Sequence, residues 1–277
     1  DGKVTHTQHT LYFSHHGPIL TMPGMPWTET HAFTARDANR GNHFLLPQWK
    51  AMNSADGMDA FIDAHRTWNA LPWVNTIAAS ADGRAVYLDN STVGHLSDAA
   101  LAGWKKQREE DALTQKLYSD RGIILLDGSD SGNDWVEDKN VRIPGTVPFE
   151  SRPVLERPDY VFNSNDSYWL SNVENPLSAY SPLYGPTETP RSVRTRMNGS
   201  ILTADSPYSY AGEDGDFSLK EAQAALLANR SFTADLLLDD LRRACAETTE
   251  VTLADESVDV AQACAVLDGF DGHMNEN

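Results

Sequence analysis

An α+β chain is what the sequence predicts, and three observations carry that expectation. Residues 1–200 read mainly as short strand-like runs and loops, punctuated by Gly, Pro and Asp-Gly turns. Residues 201–277 read as a helical segment, opened by a capping box. Hydrophobic residues make up 40% of the 277, enough to bury the core of one large domain or two small ones.

The elements follow in order. "TLYFSHHGPIL", residues 10–20, alternates and stops at Gly17-Pro18, a strand followed by a turn. "SADGMDAFIDAHRTW" places Met58, Phe61, Ile62 and His65 at helical spacing. In "WVNTIAASADGRAVYLD" two β-rich runs flank Asp82-Gly83, a hairpin signal because Gly accepts the positive φ of a tight turn. "SDAALAGWKKQREEDALTQKLYSD" reads as one charged helix resting on Leu101, Trp104, Leu113 and Leu117. "GIILLDGS" reads as a short buried strand. Residues 144–158 are proline-rich and extended, and residues 176–190 are an ordered, aromatic loop. "SLKE" caps a helix over "AQAALLANR"; "SFTADLLLDDLRRAC" and "SVDVAQACAVLDGF" supply two more, the last ended by Gly269.

Charge narrows the choice of partners. Forty acidic against 22 basic residues leave a formal charge of −18, which repels nucleic acid and anionic membranes alike. No apolar run reaches the length of a membrane span. Cys245 and Cys264 are the two cysteines. They form either a disulfide, which needs an oxidising compartment, or a pair of buried thiols. A bridge would add roughly 3 kcal/mol.

The chemistry concentrates in "DYVFNSNDSYWLSN", residues 159–172. As a strand over residues 160–165, it would send Asn163 and Asn165 out of one face. A side-chain amide offers two N–H donors that never ionise, the property needed to stabilise an oxyanion in acyl transfer. The plainer alternative is an Asx-rich turn at a strand end. His6, His9, His15, His16 and His31 cluster near the start beside Glu29. Adjacent strand residues would point His15 and His16 to opposite faces, and His6 and His9 lack a third ligand, so solvated histidines are expected and no metal or cofactor. "DGSDSGND", residues 127–134, departs from the calcium-loop pattern and reads as a polar loop. No phosphate loop, G-x-S-x-G or zinc signature occurs.

"YVFNSNDSYWLSN" followed by "PRSVRTR" resembles the β-subunit of the penicillin acylase family of N-terminal nucleophile hydrolases. The likeness runs through "LPWVNTIAASADGRAVYLD", "LDGSDSGNDW", "GTVPFESRP", "FTADLLLDDL" and "AQACAVLDGFDG" in the family's order, so it covers nearly the whole chain from Thr10. It is nearest to acylases of acyl-homoserine lactones and of lipopeptides such as aculeacin. The resemblance implies part of a four-layered αββα sandwich. It implies removal of an N-acyl chain from an amine-bearing head group by an N-terminal serine. It makes Asn165 the oxyanion-hole donor, Asn163 a structural neighbour, and Arg191 the arginine of the active-site network, with Arg194 as the alternative. It also implies an α-subunit and further β-subunit segments of one precursor as partners, a small-molecule N-acyl substrate, and a periplasmic or secreted location. The chain opens at Asp1, not at that serine. It is therefore expected to be an internal fragment of the β-subunit, inactive alone. The rival expectation is a binding or scaffold module that keeps the fold without the chemistry.

Overall fold

A computed structural model of the chain describes residues 2 and 4–275, so Asp1 lies outside the described residues. The chain divides into two units. The first comprises Asp1–Val161, Ser167–Ser171 and Pro176–Thr187; the second comprises Phe162–Asp166, Asn172–Asn175 and Glu188–Asn277.

The first unit begins with a minimal antiparallel pair, β1 (Ile19–Leu20) and β2 (Phe33–Thr34). The strand expected ahead of Gly17-Pro18 does not form. The Ser14 N–H bonds the Gly17 carbonyl at 2.9 Å and Phe13 bridges Pro18, so the chain doubles back at His15-His16. A Cβ on Gly17 would collide with the Ala35 carbonyl, which makes glycine necessary at that turn.

Helices α1 (Leu45–Asn53) and α2 (Met58–Trp68) pack through Met52, Ala64 and Leu71. The predicted face of α2 is present: Met58 and His65 are buried, and Phe61 and Ile62 pack on the core. β3 (Thr76–Ala79) and β4 (Ala85–Leu88) form the Asp-Gly hairpin, with Ile77 opposite Tyr87 and Gly83 at φ 84°. β4 is central because β5 (Val154–Arg157) pairs its other edge, Tyr87 opposite Leu155. Val86, Tyr87 and Leu88 are completely buried. Removing each apolar side chain from water contributes about 1.5–3 kcal/mol, so this strand and Met58 and Phe149 beside it make the core.

Two further expectations fail in this unit. The charged helix is two helices, α3 (Asp98–Glu110) and α4 (Ala112–Arg121). Asp111 is extended, and its carboxylate caps α4 by accepting from the Thr114 N–H and hydroxyl, each at 2.7 Å. The break resets the helical phase: Thr114 and Tyr118 become buried and Leu113 is 43% exposed. "GIILL" is not a strand. Gly122 ends α4 in the left-handed region, the Ile123 N–H bonds back to Leu117, and Ile123 stays 44% exposed. The aromatic loop is ordered: Tyr168 meets Tyr180 and Tyr184 edge-on, at 5.3 and 6.3 Å between centroids.

The second unit holds α5 (Val193–Leu202), α6 (Leu219–Leu227) and α7 (Phe232–Glu247), then a hairpin of β6 (Glu250–Leu253) and β7 (Glu256–Asp259), then α8 (Ala261–Gly269). The capping box forms as read, with the Ser218 and Glu221 side chains each accepting from the other's N–H. The hairpin interrupts a stretch read as helical throughout. Ala254 and Asp255 both take positive φ, the conformation of a two-residue turn that matches strand twist. Cys245 of α7 and Cys264 of α8 are joined as a disulfide with Cα atoms 5.5 Å apart. Arg242 completes the junction by donating to the Leu267, Asp268 and Phe270 carbonyls at the end of α8.

Candidate active-site loop

After β5 the chain leaves the sheet, and residues 160–165 form a loop, not a strand. Asn163 and Asn165 therefore do not share a strand face. The Asn163 side-chain Oδ1 accepts the Asn165 N–H at 2.9 Å, and its Nδ2 donates to the Asp166 carbonyl at 3.1 Å. This is an Asx turn, and it competes successfully with strand pairing. It swings Asn165 into the left-handed region at φ 64°, which Asn tolerates better than most residues. Both ends of the Asn163 amide are committed inside the loop, whereas Asn165 is exposed.

Helix α5 grips this loop with three side chains from its first turns. Arg194 Nη2 donates to the Ser164 carbonyl at 2.6 Å and to Asn165 Oδ1 at 2.9 Å. The buried Thr195 hydroxyl donates to the Asp166 carboxylate. Asn198 Nδ2 donates to Ser164 Oγ at 2.7 Å. Ser192 caps the helix by accepting the Thr195 N–H at 3.1 Å, which fixes where these side chains start. Gly199 lets the loop approach: a Cβ there would lie 2.9 Å from Val173 Cγ1 and 3.9 Å from the Phe162 ring.

The arrangement has a defined chemical capacity. An amide whose oxygen is held by a guanidinium presents its Nδ2 hydrogens elsewhere. With Oδ1 of Asn165 taken by Arg194, the two Nδ2 donors are oriented and uncharged. Of the two arginines read from the sequence, Arg194 carries these bonds; Arg191 is exposed just ahead of α5.

A second polar cluster, in the first unit, escaped the sequence reading. Arg152 is 2% exposed, and its donors all reach oxygens at the end of β4 and beside it. Nε and Nη2 bond the Val147 carbonyl at 2.9 and 2.8 Å; Nη1 bonds the Asn90 and Ser91 carbonyls at 2.6 and 2.8 Å. Burial pushes the Asp89 carboxyl up, against the pull of its Ser91 bonds and of Arg152. His65 is fully buried between Gln48 and Asn90, at 3.2 and 3.4 Å from Nδ1. Burial, helped by the Arg152 charge, lowers its pKa to about 4. "LDN" at residues 88–90 was the available signal, since a polar pair directly after a buried strand needs partners.

Comparison with known proteins places the loop in context. Residues 1–277 match the penicillin amidase family. The chain is 34% identical over 282 residues to the acyl-homoserine lactone acylase PvdQ of Pseudomonas syringae pv. syringae, a match covering 100% of this chain and 33% of that protein. It is 34% identical over 279 residues to the aculeacin-A acylase of Actinoplanes utahensis, covering 98% of this chain and 34% of that one. The chain thus spans about a third of the length of these relatives. On a match that runs its full length, the chain belongs to the penicillin amidase family.

Proposed function

We propose that this chain is an internal part of the β-subunit of an N-acyl amidohydrolase, and that it supplies one side of the oxyanion hole. In this reading the attacking serine lies on a segment outside the chain, within a four-layered αββα sandwich. Its oxygen attacks the amide carbonyl while its proton passes to its own α-amine. Negative charge grows on the carbonyl oxygen, and Asn165 Nδ2 donates to it. The C–N bond then breaks, the amine departs with the proton, and water hydrolyses the acyl ester to restore the serine. Arg194 acts as a positioning residue by holding Asn165 Oδ1.

The observation that carries this reading is the Arg194–Asn165 bond, which commits the amide oxygen and leaves the donors for a ligand. The relatives named for acyl-homoserine lactones and aculeacin A support N-acyl amines as the substrate class. The groove lined by Asp59, Arg66, Arg84, Glu150 and Glu156 in the first unit is charged and so unsuited to an acyl chain; that pocket belongs to other segments of the protein. The disulfide supports a periplasmic or secreted location. In the full-length enzyme, Asn165→Ala should lower kcat about a hundredfold or more, the worth of one oxyanion donor, at unchanged Tm. Wild-type turnover in that variant would overturn the assignment and favour a scaffold role.

A further inference from the structure

We propose a divalent transition-metal site, of the zinc class, formed by His15, His16 and Asp134 in the first unit. The turn that replaces the expected strand brings the two imidazoles together, with centroids 3.7 Å apart and planes 43° from parallel. One nitrogen from each ring and a carboxylate oxygen of Asp134 lie within 4.8 Å of one another. Two imidazoles and one carboxylate, with a fourth position for water, are a ligand set that zinc accepts.

The tautomer of His16 points the same way. Its Nε2 lies 3.0 Å from the Gly128 carbonyl. A carbonyl only accepts, so Nε2 carries the proton and the Nδ1 of the neutral ring is a lone pair. That lone pair faces Asp134 Oδ1 at 3.9 Å. In that neutral form Nδ1 and the carboxylate are both acceptors, across a gap too long for a hydrogen bond, and either a proton or a metal cation between them joins the pair. Zinc-bound donors sit about 3.4 Å apart in a tetrahedron, so this pair would close by about half an ångström. An imidazole ligand whose other N–H donates to a backbone carbonyl is the usual arrangement for fixing a metal-binding ring.

The surroundings are shaped for this contact. Gly128 allows His16 to lie over the loop backbone, since a Cβ there would stand 3.2 Å from the ring. Asp127 and Asp130 are not spare ligands; they accept from the Ser129 and Gly132 N–H groups and so hold the loop that ends at Asp134. Arg36 donates to Asp134 Oδ1 at 3.2 Å while stacked 4.2 Å from the centre of the Trp135 ring. It orients the carboxylate and also competes with the metal for it. The Asp134 side chain is 45% exposed, leaving room for the water. A metal here would clip the first hairpin to the loop of residues 127–134.

The test is titration of untagged, metal-stripped protein with Zn2+ against a chromophoric competitor, and with Co2+ followed by its ligand-field absorption. The expected result is one ion per chain, a tetrahedral cobalt spectrum, and a zinc-dependent rise in Tm. His16→Gln and Asp134→Asn should each weaken binding about tenfold or more and abolish the cobalt bands. His273→Gln, in the second unit, should change nothing. Asp134→Asn is a conservative surface change, so it serves if His16→Gln fails to fold. Failure to bind one zinc per chain, or equal affinity in wild type and Asp134→Asn, would overturn the proposal.

Discussion

A guanidinium and a side-chain amide, meeting through one 2.9 Å bond, are the smallest unit on which the proposed chemistry depends. Lysine at Arg194 would keep the charge but could not span Ser164 O and Asn165 Oδ1 as a planar fork does. Arg194→Lys in the full-length enzyme is expected to lower kcat about tenfold or more with a small change in KM; steady-state kinetics of this variant beside Arg191→Lys decide which arginine holds the network. Histidine 65 offers a separate prediction. Its pKa is about 4 in the folded chain and 6.5 ordinarily, so between those values the unfolded chain binds the extra proton. This contribution is complete above pH 6.5 and is lost as pH falls towards 4, about 3 kcal/mol in total. Urea unfolding at pH 7 and pH 4.5 should show the loss in wild type and a much smaller one in His65→Gln. At this scale the Asn-x-Asn pair was legible as a motif. Its geometry was not, because an Asx turn and a strand end use the same residues.

At the level of elements, the hairpin of β6 and β7 sits between two helices whose ends are covalently joined. Thiol alkylation without reductant, read by mass, should label no cysteine, and reduction should expose two. The double replacement Cys245→Ser, Cys264→Ser should cost roughly 3 kcal/mol, seen as a lower Tm. Glycine 94 offers a packing test. A Cβ there would lie 2.2–2.5 Å from three atoms of the Trp135 indole, so Gly94→Ala should destabilise by about 1–3 kcal/mol through overpacking. A Tm equal to wild type would mean that Trp135 moves aside freely. Alternation in "EVTL" and "ESVD" was present to be read, but no Gly or Asn marked the turn. Asp111 inside a continuous charged pattern hid the break between α3 and α4 for the same reason: a capping residue resembles a helix-surface residue until its backbone is known.

For the molecule as a whole, the central consequence of the proposal is that these residues need other segments to catalyse anything. The chain spans about a third of the length of these relatives, and in the proposed site Asn165 supplies one donor. The 277-residue chain alone should not hydrolyse a fluorogenic N-acyl amide. Turnover should appear when a serine-initiated segment is supplied, and should fall again with Asn165→Ala. Turnover by the chain alone, unaffected by Asn165→Ala, would place the chemistry elsewhere.

The sequence by itself determined the α+β class, the Asp-Gly hairpin, the capping box at Ser218 and Glu221, and the family. Each of the local features rests on residues a few positions apart, whose spacing states the geometry directly. The family rests on many such features in one order. Tertiary structure decided that Asn165 takes a left-handed conformation and that Arg194 holds it from 29 positions away. It also decided that the His15 and His16 rings come together instead of diverging, and that Asp134 lies near them from the far side of the unit's sequence. Such contacts form only when loops are closed by packing elsewhere, and loop closure leaves no periodic trace in the residues that it brings together.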